Sequence, residues 1–238
     1  MSQRIFDLFE QVRIINLVDR PDRRKEMTAQ LRRLHALAPN VEFYDARRPS
    51  EAGGFPTLGA RGCFESHLSV LRSARDGNLK SLLILEDDLD FSRDGRERLG
   101  DVFRALSGRS WDFFYGAHVL DANDRSGLAA IAADEPVMTA SCLAFSGDVI
   151  PPLVDFLEGI LSRPPGSVDY GPMHVDGAYT VFRMLSPDRH TFAAFPPLGR
   201  QRSSPSDITP GSMLLDRSGV TRPLAALLRR GYNMLLRN

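Results

Sequence analysis

LLILEDDLDF, residues 82–91, is the stretch whose reading decides the fold. Four apolar residues lead into Glu86, Asp87 and Asp88, and Asp90 follows shortly after. A short apolar run of this length reads as a buried strand. Carboxylates packed at its end repel one another, so one must take up a proton or find a cation.

Alternation extends outward from this strand. Residues 13–18 (RIINLV) read as a second buried strand, rich in β-branched residues. Asp19-Arg20-Pro21 opens a helix, with Pro near its first turn and Asp22 favouring its N-terminal dipole. Met27, Leu31 and Leu34 share one face of that helix. A short strand is expected at 41–44, a loop over 46–61 and a helix over 62–76, where Phe64, Leu68 and Leu71 have helical spacing. Further on, 103–106 reads as helix, 111–115 as strand, 118–135 as loop, and 136–146 as a strand pair or a strand with a turn. Helices follow over 150–161 and 176–185, then a strand over 192–195, a loop over 199–213 and a last helix over 224–236. Helices and short strands alternating over 238 residues, with no repeat and no linker, predict one α/β domain, 1–238, with a mostly parallel central sheet flanked by helices.

Composition narrows the function classes. Lys+Arg and Asp+Glu both equal 30, so the formal net charge is zero, and a global field for nucleic acid is absent. Lys occurs only at Lys25 and Lys80, so nearly all positive charge is Arg. Cys63 and Cys142 form neither a CxxC pair nor a disulfide framework, which favours a reducing compartment. The first residues lack an apolar signal-peptide core, and no apolar run approaches the roughly 20 residues of a membrane span. A cytoplasmic protein is expected. Residues 217–238 place Leu224, Leu227, Leu228 and Leu235 on one helical face and Arg229, Arg230 and Arg237 on another. Such a basic amphipathic helix either packs on the domain or rests peripherally on an anionic inner-membrane surface.

The carboxylates admit two readings. Ligands in open α/β sheets bind beyond the carboxyl ends of the strands. Oxygen ligands there suit a hard divalent cation, Mg²⁺ or Mn²⁺, which would neutralise a diphosphate. Alternatively, Asp88 or Asp90 caps the helix that follows. A receiver-type acidic pocket needs a Lys downstream, and none follows Lys80.

Three segments, INLVDRPDRRKEM (15–27), GARGCFESHLSVLR (59–72) and LLILEDDLDF (82–91), together resemble glycosyltransferase family 25. HVDGAY (174–179) and Gln201…Ser206-Asp207-Ile208 resemble its later motifs. The resemblance implies a GT-A-like fold, a UDP-sugar donor (usually UDP-galactose), Mn²⁺ or Mg²⁺, and inversion at the anomeric carbon. It places Asn16, Leu17, Val18, Asp19 and Arg20 near the nucleoside, with Arg23 beside it or packing the helix. Cys63, Ser66 and His67 match the GC…SH segment. Glu86, Asp87 and Asp88 stand in for the DxD element, with Asp88 foremost as metal ligand and Asp87 beside it. The acceptor hydroxyl needs a base. Asp176 is the first candidate and Asp207 the second, although Asp176 equally suits a helix N-cap. His67, early in its helix, is either a donor contact or a packed residue. Arg200 and Arg202 flank Gln201, to meet a phosphate or to lie in solvent. One departure stands out: where many relatives carry a GTHAY-like segment this chain has TASCL (139–143), so the family His falls at Ser141. The implied role is extension of a bacterial surface glycan such as lipopolysaccharide. The rival is a nucleotide-binding module of the same fold without turnover.

Overall fold

The computed structural model describes residues 5–202. The helix expected over 224–236, its proposed membrane contact and Asp207 lie outside the described residues.

Two parallel strands lie side by side: β1 (Gln11–Asn16) and β3 (Ser81–Glu86). Outside β1 lies β2 (Val41–Asp45), also parallel. On the other side of β3 the order runs through β7 (Cys142–Ser146), β5 (Phe113–Tyr115), β8 (Thr191–Phe195) and β6 (Gly127–Ala130). β7 is antiparallel to β3 and to β5, β8 is parallel to β5, and β6 is antiparallel to β8. Thus β1, β2, β3, β5 and β8 point one way, and only β6 and β7 oppose them. This is the mostly parallel α/β sheet expected, and it agrees with the GT-A-like architecture that the resemblance implies.

Successive side chains of a strand point to opposite faces. Leu82 and Ile84 therefore enter one core, with α2 (Leu58–Asp76), α4 (Ile150–Ser162) and α5 (Val175–Leu185). Leu83 and Leu85 enter the other, with α1 (Pro21–Arg33) and α3 (Arg93–Ser107). All four are fully buried. Each such side chain contributes about 1.5–3 kcal/mol relative to exposure.

The chain turns sharply after Glu86. β4 (Leu89–Phe91) leaves the main sheet and pairs antiparallel with β9 (Gly199–Gln201) in a two-stranded sheet. Asp87 and Asp88 form the turn between β3 and β4. Close approach of the two backbones requires glycine at 199, where a Cβ would lie 2.6 Å from the Asp90 carbonyl oxygen.

Several local expectations change. The loop expected over 46–61 ends earlier, because the Thr57 side chain accepts from the Ala60 amide and starts α2 at Leu58. His67 is consequently mid-helix rather than early. Neither Asp88 nor Asp90 caps α3; the Ser92 hydroxyl does, accepting from the Gly95 amide at 2.9 Å. Within 118–135 and 199–213, expected as loops, lie the strands β6 and β9. Of the two alternatives expected over 136–146, the one with a single strand is found.

Candidate functional site

β1 and β3 end at the same level, with Ile15 in register with Glu86. A cleft of ≈ 340 Å³ opens there. Ile15 and Leu17 line it from the end of β1, Arg23 from α1, and Arg47, Arg48 and Pro49 from the segment after β2. Gly62, Cys63 and Ser66 face it from α2, and Glu86, Asp87, Asp88 and Gln201 complete it. Strand ends of a parallel sheet are where α/β proteins bind ligands.

The acidic turn is held from several sides. Asn16 Nδ2 donates to Asp87 Oδ2 at 2.7 Å. Arg23 Nη1 reaches Asp87 Oδ1 at 3.0 Å and Asp88 Oδ2 at 3.3 Å. Gln201 Nε2 donates to Asp88 Oδ2 at 3.2 Å. Arg202 fastens the turn's backbone: its amide donates to the Asp88 carbonyl and its Nη2 to that of Asp87, while Glu26 holds its guanidinium. Asp87 therefore has both oxygens engaged. Asp88 Oδ1 is buried and has no hydrogen-bond partner among the described residues. Burial and the Glu86 charge push the Asp88 carboxyl up to about 6, against the lowering effect of Gln201 and Arg23.

Glu86 faces α2. Its Oε1 lies 3.4 Å from His67 Nε2 and 3.5 Å from Cys63 Sγ. His67 is fully buried, and its Nδ1 lies 3.0 Å from the Tyr179 hydroxyl on α5. Burial, then the Glu86 charge and more weakly that of Asp176, holds the Cys63 thiol well above its ordinary range. The Ser66 hydroxyl donates to the Gly62 carbonyl at 2.6 Å and accepts from the Arg47 amide at 2.8 Å.

The sequence-derived residues separate into groups. Leu17, Arg23, Ser66, Glu86, Asp87 and Asp88 line the cleft. Asn16 and His67 sit behind it, each bonded to a lining carboxylate. Val18, Asp19 and Arg20 lie on the turn before α1; Val18 is exposed, Asp19 pairs with Arg48 and Arg20 with Asp22. Asp176 is not among the lining residues. It lies in the first turn of α5 rather than at the N-cap, which is His174. Its Oδ2 accepts from the Thr139 amide at 3.1 Å and its Oδ1 from the Gly177 amide at 2.8 Å. Ser141 is fully buried behind Glu86: its carbonyl accepts the Glu86 amide at 3.0 Å, and its hydroxyl has no partner among the described residues. Sequence reasoning passed over Arg47 and Arg48. Their signal was an Arg-Arg-Pro step directly after a strand.

Comparison with known proteins supports the family reading. The model of glycosyltransferase family 25 (LPS biosynthesis protein) matches residues 50–126. Human "inactive glycosyltransferase 25 family member 3" is 28% identical over 127 residues, covering 45% of this chain and 21% of that protein. Human procollagen galactosyltransferase 2 is 32% identical over 110 residues, covering 45% and 17%. The chain thus spans about a fifth of the length of these curated relatives. Among solved structures, a glycosyltransferase involved in glycosylation of the PBCV-1 major capsid superposes with a TM-score of 0.38 and 13% identity, over 78% of this chain and 94% of that one. The resemblance read from the motifs is therefore to glycosyltransferase family 25, whose model covers the α2, β3 and acidic-turn segments. None of the helices among the described residues is long and apolar enough to cross a membrane.

Proposed function

We propose, from the premise that this chain is a relative of glycosyltransferase family 25, that it transfers a hexose from a nucleotide sugar to a glycan acceptor. In its specific form the reading is an inverting, metal-dependent transfer of galactose from UDP-galactose to a bacterial surface glycan such as lipopolysaccharide. It places the enzyme in the cytoplasm as one domain, with residues 217–238 as a peripheral contact to the inner membrane.

One observation carries the reading: Asp88 Oδ1 is a buried carboxylate oxygen, without a partner among the described residues, on a residue that lines the cleft. A buried polar atom without a partner is costly, and a hard cation is the partner an anionic oxygen suits best. Asp88, with Asp87 beside it, would hold Mn²⁺ or Mg²⁺. The cation, when bound, supplies positive charge against the diphosphate leaving group. The chain's own residues do the rest. Arg23 and Asn16 fix Asp87, and Gln201 orients Asp88. Arg47 and Arg48 line the cleft within reach of an anionic donor. Asp176 is the proposed base for the acceptor hydroxyl. Each of its oxygens accepts one amide and keeps a second lone pair for a proton. Asp207 is the alternative base.

A second reading is a nucleotide-binding module without turnover. Two points favour it: Ser141 stands where the family resemblance implies His, and one relative's name calls that relative inactive. Calorimetry with UDP, with and without Mn²⁺, tests the site. Binding is expected to need Mn²⁺ and to be lost in Asp88→Asn. Binding indifferent to both metal and mutation would sink the donor-site assignment. Metal-dependent binding with neither transfer nor hydrolysis of a UDP-hexose would select the second reading.

A further inference from the structure

Beside the hard carboxylates of the turn lies a ligand set of different chemistry. Cys63 and His67 are four residues apart on α2, which places them on the same face of the helix. Glu86, at the end of β3, meets both from across the gap between helix and sheet. Cys63 Sγ, His67 Nε2 and one Glu86 oxygen all lie within 4.8 Å of one another. Zn²⁺ binds sulfur at about 2.3 Å and nitrogen or oxygen at about 2.0–2.2 Å, so tetrahedral ligand atoms stand roughly 3.4–3.6 Å apart. The S···O separation of 3.5 Å and the N···O separation of 3.4 Å match that spacing.

The surroundings supply what a metal-bound histidine needs. Such a residue uses its other ring nitrogen to bond a fixed partner, which sets tautomer and ring orientation. His67 Nδ1 has that partner in the Tyr179 hydroxyl at 3.0 Å, and both residues are fully buried. With a proton on Nδ1, Nε2 presents its lone pair to Glu86 and Cys63. Cys63 and Glu86 also line the cleft, which leaves a side of the cluster open to a further ligand.

We propose that Cys63, His67 and Glu86 form a binding site for a borderline divalent cation, Zn²⁺ foremost, separate from the hard-cation position at Asp88. A thiolate and an imidazole select such a cation over Mg²⁺ or Mn²⁺, whereas the all-oxygen turn makes the opposite choice. Three protein ligands with an open position on a cleft is the arrangement of exchangeable or catalytic zinc rather than of closed structural zinc. The site does not depend on the transferase reading.

Co²⁺ titration of the metal-stripped, reduced full-length chain tests it, because a thiolate bound to Co²⁺ gives a charge-transfer absorption in the near ultraviolet. The band is expected to saturate at one equivalent and to be abolished by added Zn²⁺. It should vanish in Cys63→Ser and persist in Cys142→Ser and Asp88→Asn. Absence of the band in the wild-type chain, or a band that survives Cys63→Ser, overturns the proposal. So does a band that disappears in Cys142→Ser or Asp88→Asn with Cys63 intact and the variant folded by circular dichroism. The wild-type arm needs no variant, and Cys63→Ser exchanges a single side-chain atom. UDP binding with Mn²⁺ is read separately and can fail or succeed without altering this result.

Discussion

Asp87 and Asp88 are neighbours in sequence with unlike surroundings. Asp87 has Arg23 on one oxygen and Asn16 on the other, whereas Asp88 shares Arg23 and its Oδ1 has no partner among the described residues. The raised Asp88 carboxyl makes a stability prediction for metal-free protein. Its folded value of about 6 exceeds the ordinary 3.8, so the folded state holds this proton more tightly than the unfolded chain does. The contribution is fully present below pH 3.8 and is lost as pH rises through about 6. Asp88→Asn should therefore stabilise the metal-free chain at pH 7.5 by on the order of 2 kcal/mol, and the gain should disappear near pH 4. Urea melts of both proteins at the two pH values check this; an equal difference at both would remove the titration argument. Arg23 gives the complementary case. It lies between two nearly buried carboxylates, and removing one partner of a buried ion pair is costly. Arg23→Gln should lose about 3 kcal/mol. Mn²⁺ should raise its melting temperature more than that of the wild type, since the cation replaces the missing charge. An equal rise in both proteins would mean that the metal does not bind between these carboxylates.

β4 shows how an element too short to stabilise itself is held. Its pairing with β9 covers one edge, and the buried Gln30 of α1 serves backbone groups on the strand. Gln30 Nε2 donates to the Leu89 carbonyl at 2.8 Å, and Gln30 Oε1 accepts from the Phe91 amide at 2.9 Å. Replacing Gln30 by Leu leaves a donor and an acceptor buried without partners, each costing about 1–3 kcal/mol. Gln30→Leu should thus lose roughly 2–4 kcal/mol, and amide exchange at Phe91 should accelerate more than at Leu83. Uniform loss of protection across both strands would contradict a local clamp. This element also marks the limit of what the sequence discloses. β1 and β3 are legible as short apolar runs, with carboxylates at the end of β3, and α1 and α4 by the Pro residues that open them. β4 and β9 have three residues each and no alternation to read, and only their mutual pairing makes them strands. The same holds for the candidate site. EDD at a strand end announced carboxylates, but Arg23 meets Asp87 across 64 residues and Cys63 meets Glu86 across 23, and no local spacing encodes such contacts.

At the scale of the described molecule, one sheet separates two apolar layers, and β3 contributes to both. Leu82 packs with α2 and α4, whereas Leu83 packs with α1 and α3. The acidic turn and Glu86 hang from the end of this shared strand, so the position of the cleft depends on both layers at once. Leu82→Ala and Leu83→Ala should each cost about 2–5 kcal/mol, the range for a fully buried leucine. The two layers have no backbone boundary between them: α1 and α2 flank opposite faces yet are separated only by β2, and every main-sheet strand is hydrogen-bonded to a neighbour. Both substitutions should therefore shift one common transition rather than split it, by far-ultraviolet circular dichroism and by Trp111 fluorescence alike. Trp111 packs beside the layer that contains Leu83, so it reports one face while the backbone signal reports both. If Leu82→Ala lowered the circular dichroism midpoint but left the Trp111 midpoint in place, the faces would unfold independently. The carboxylates of the turn would then depend on Arg23 of α1 and Asn16 of β1, with Gln30 fixing the β4 backbone behind them.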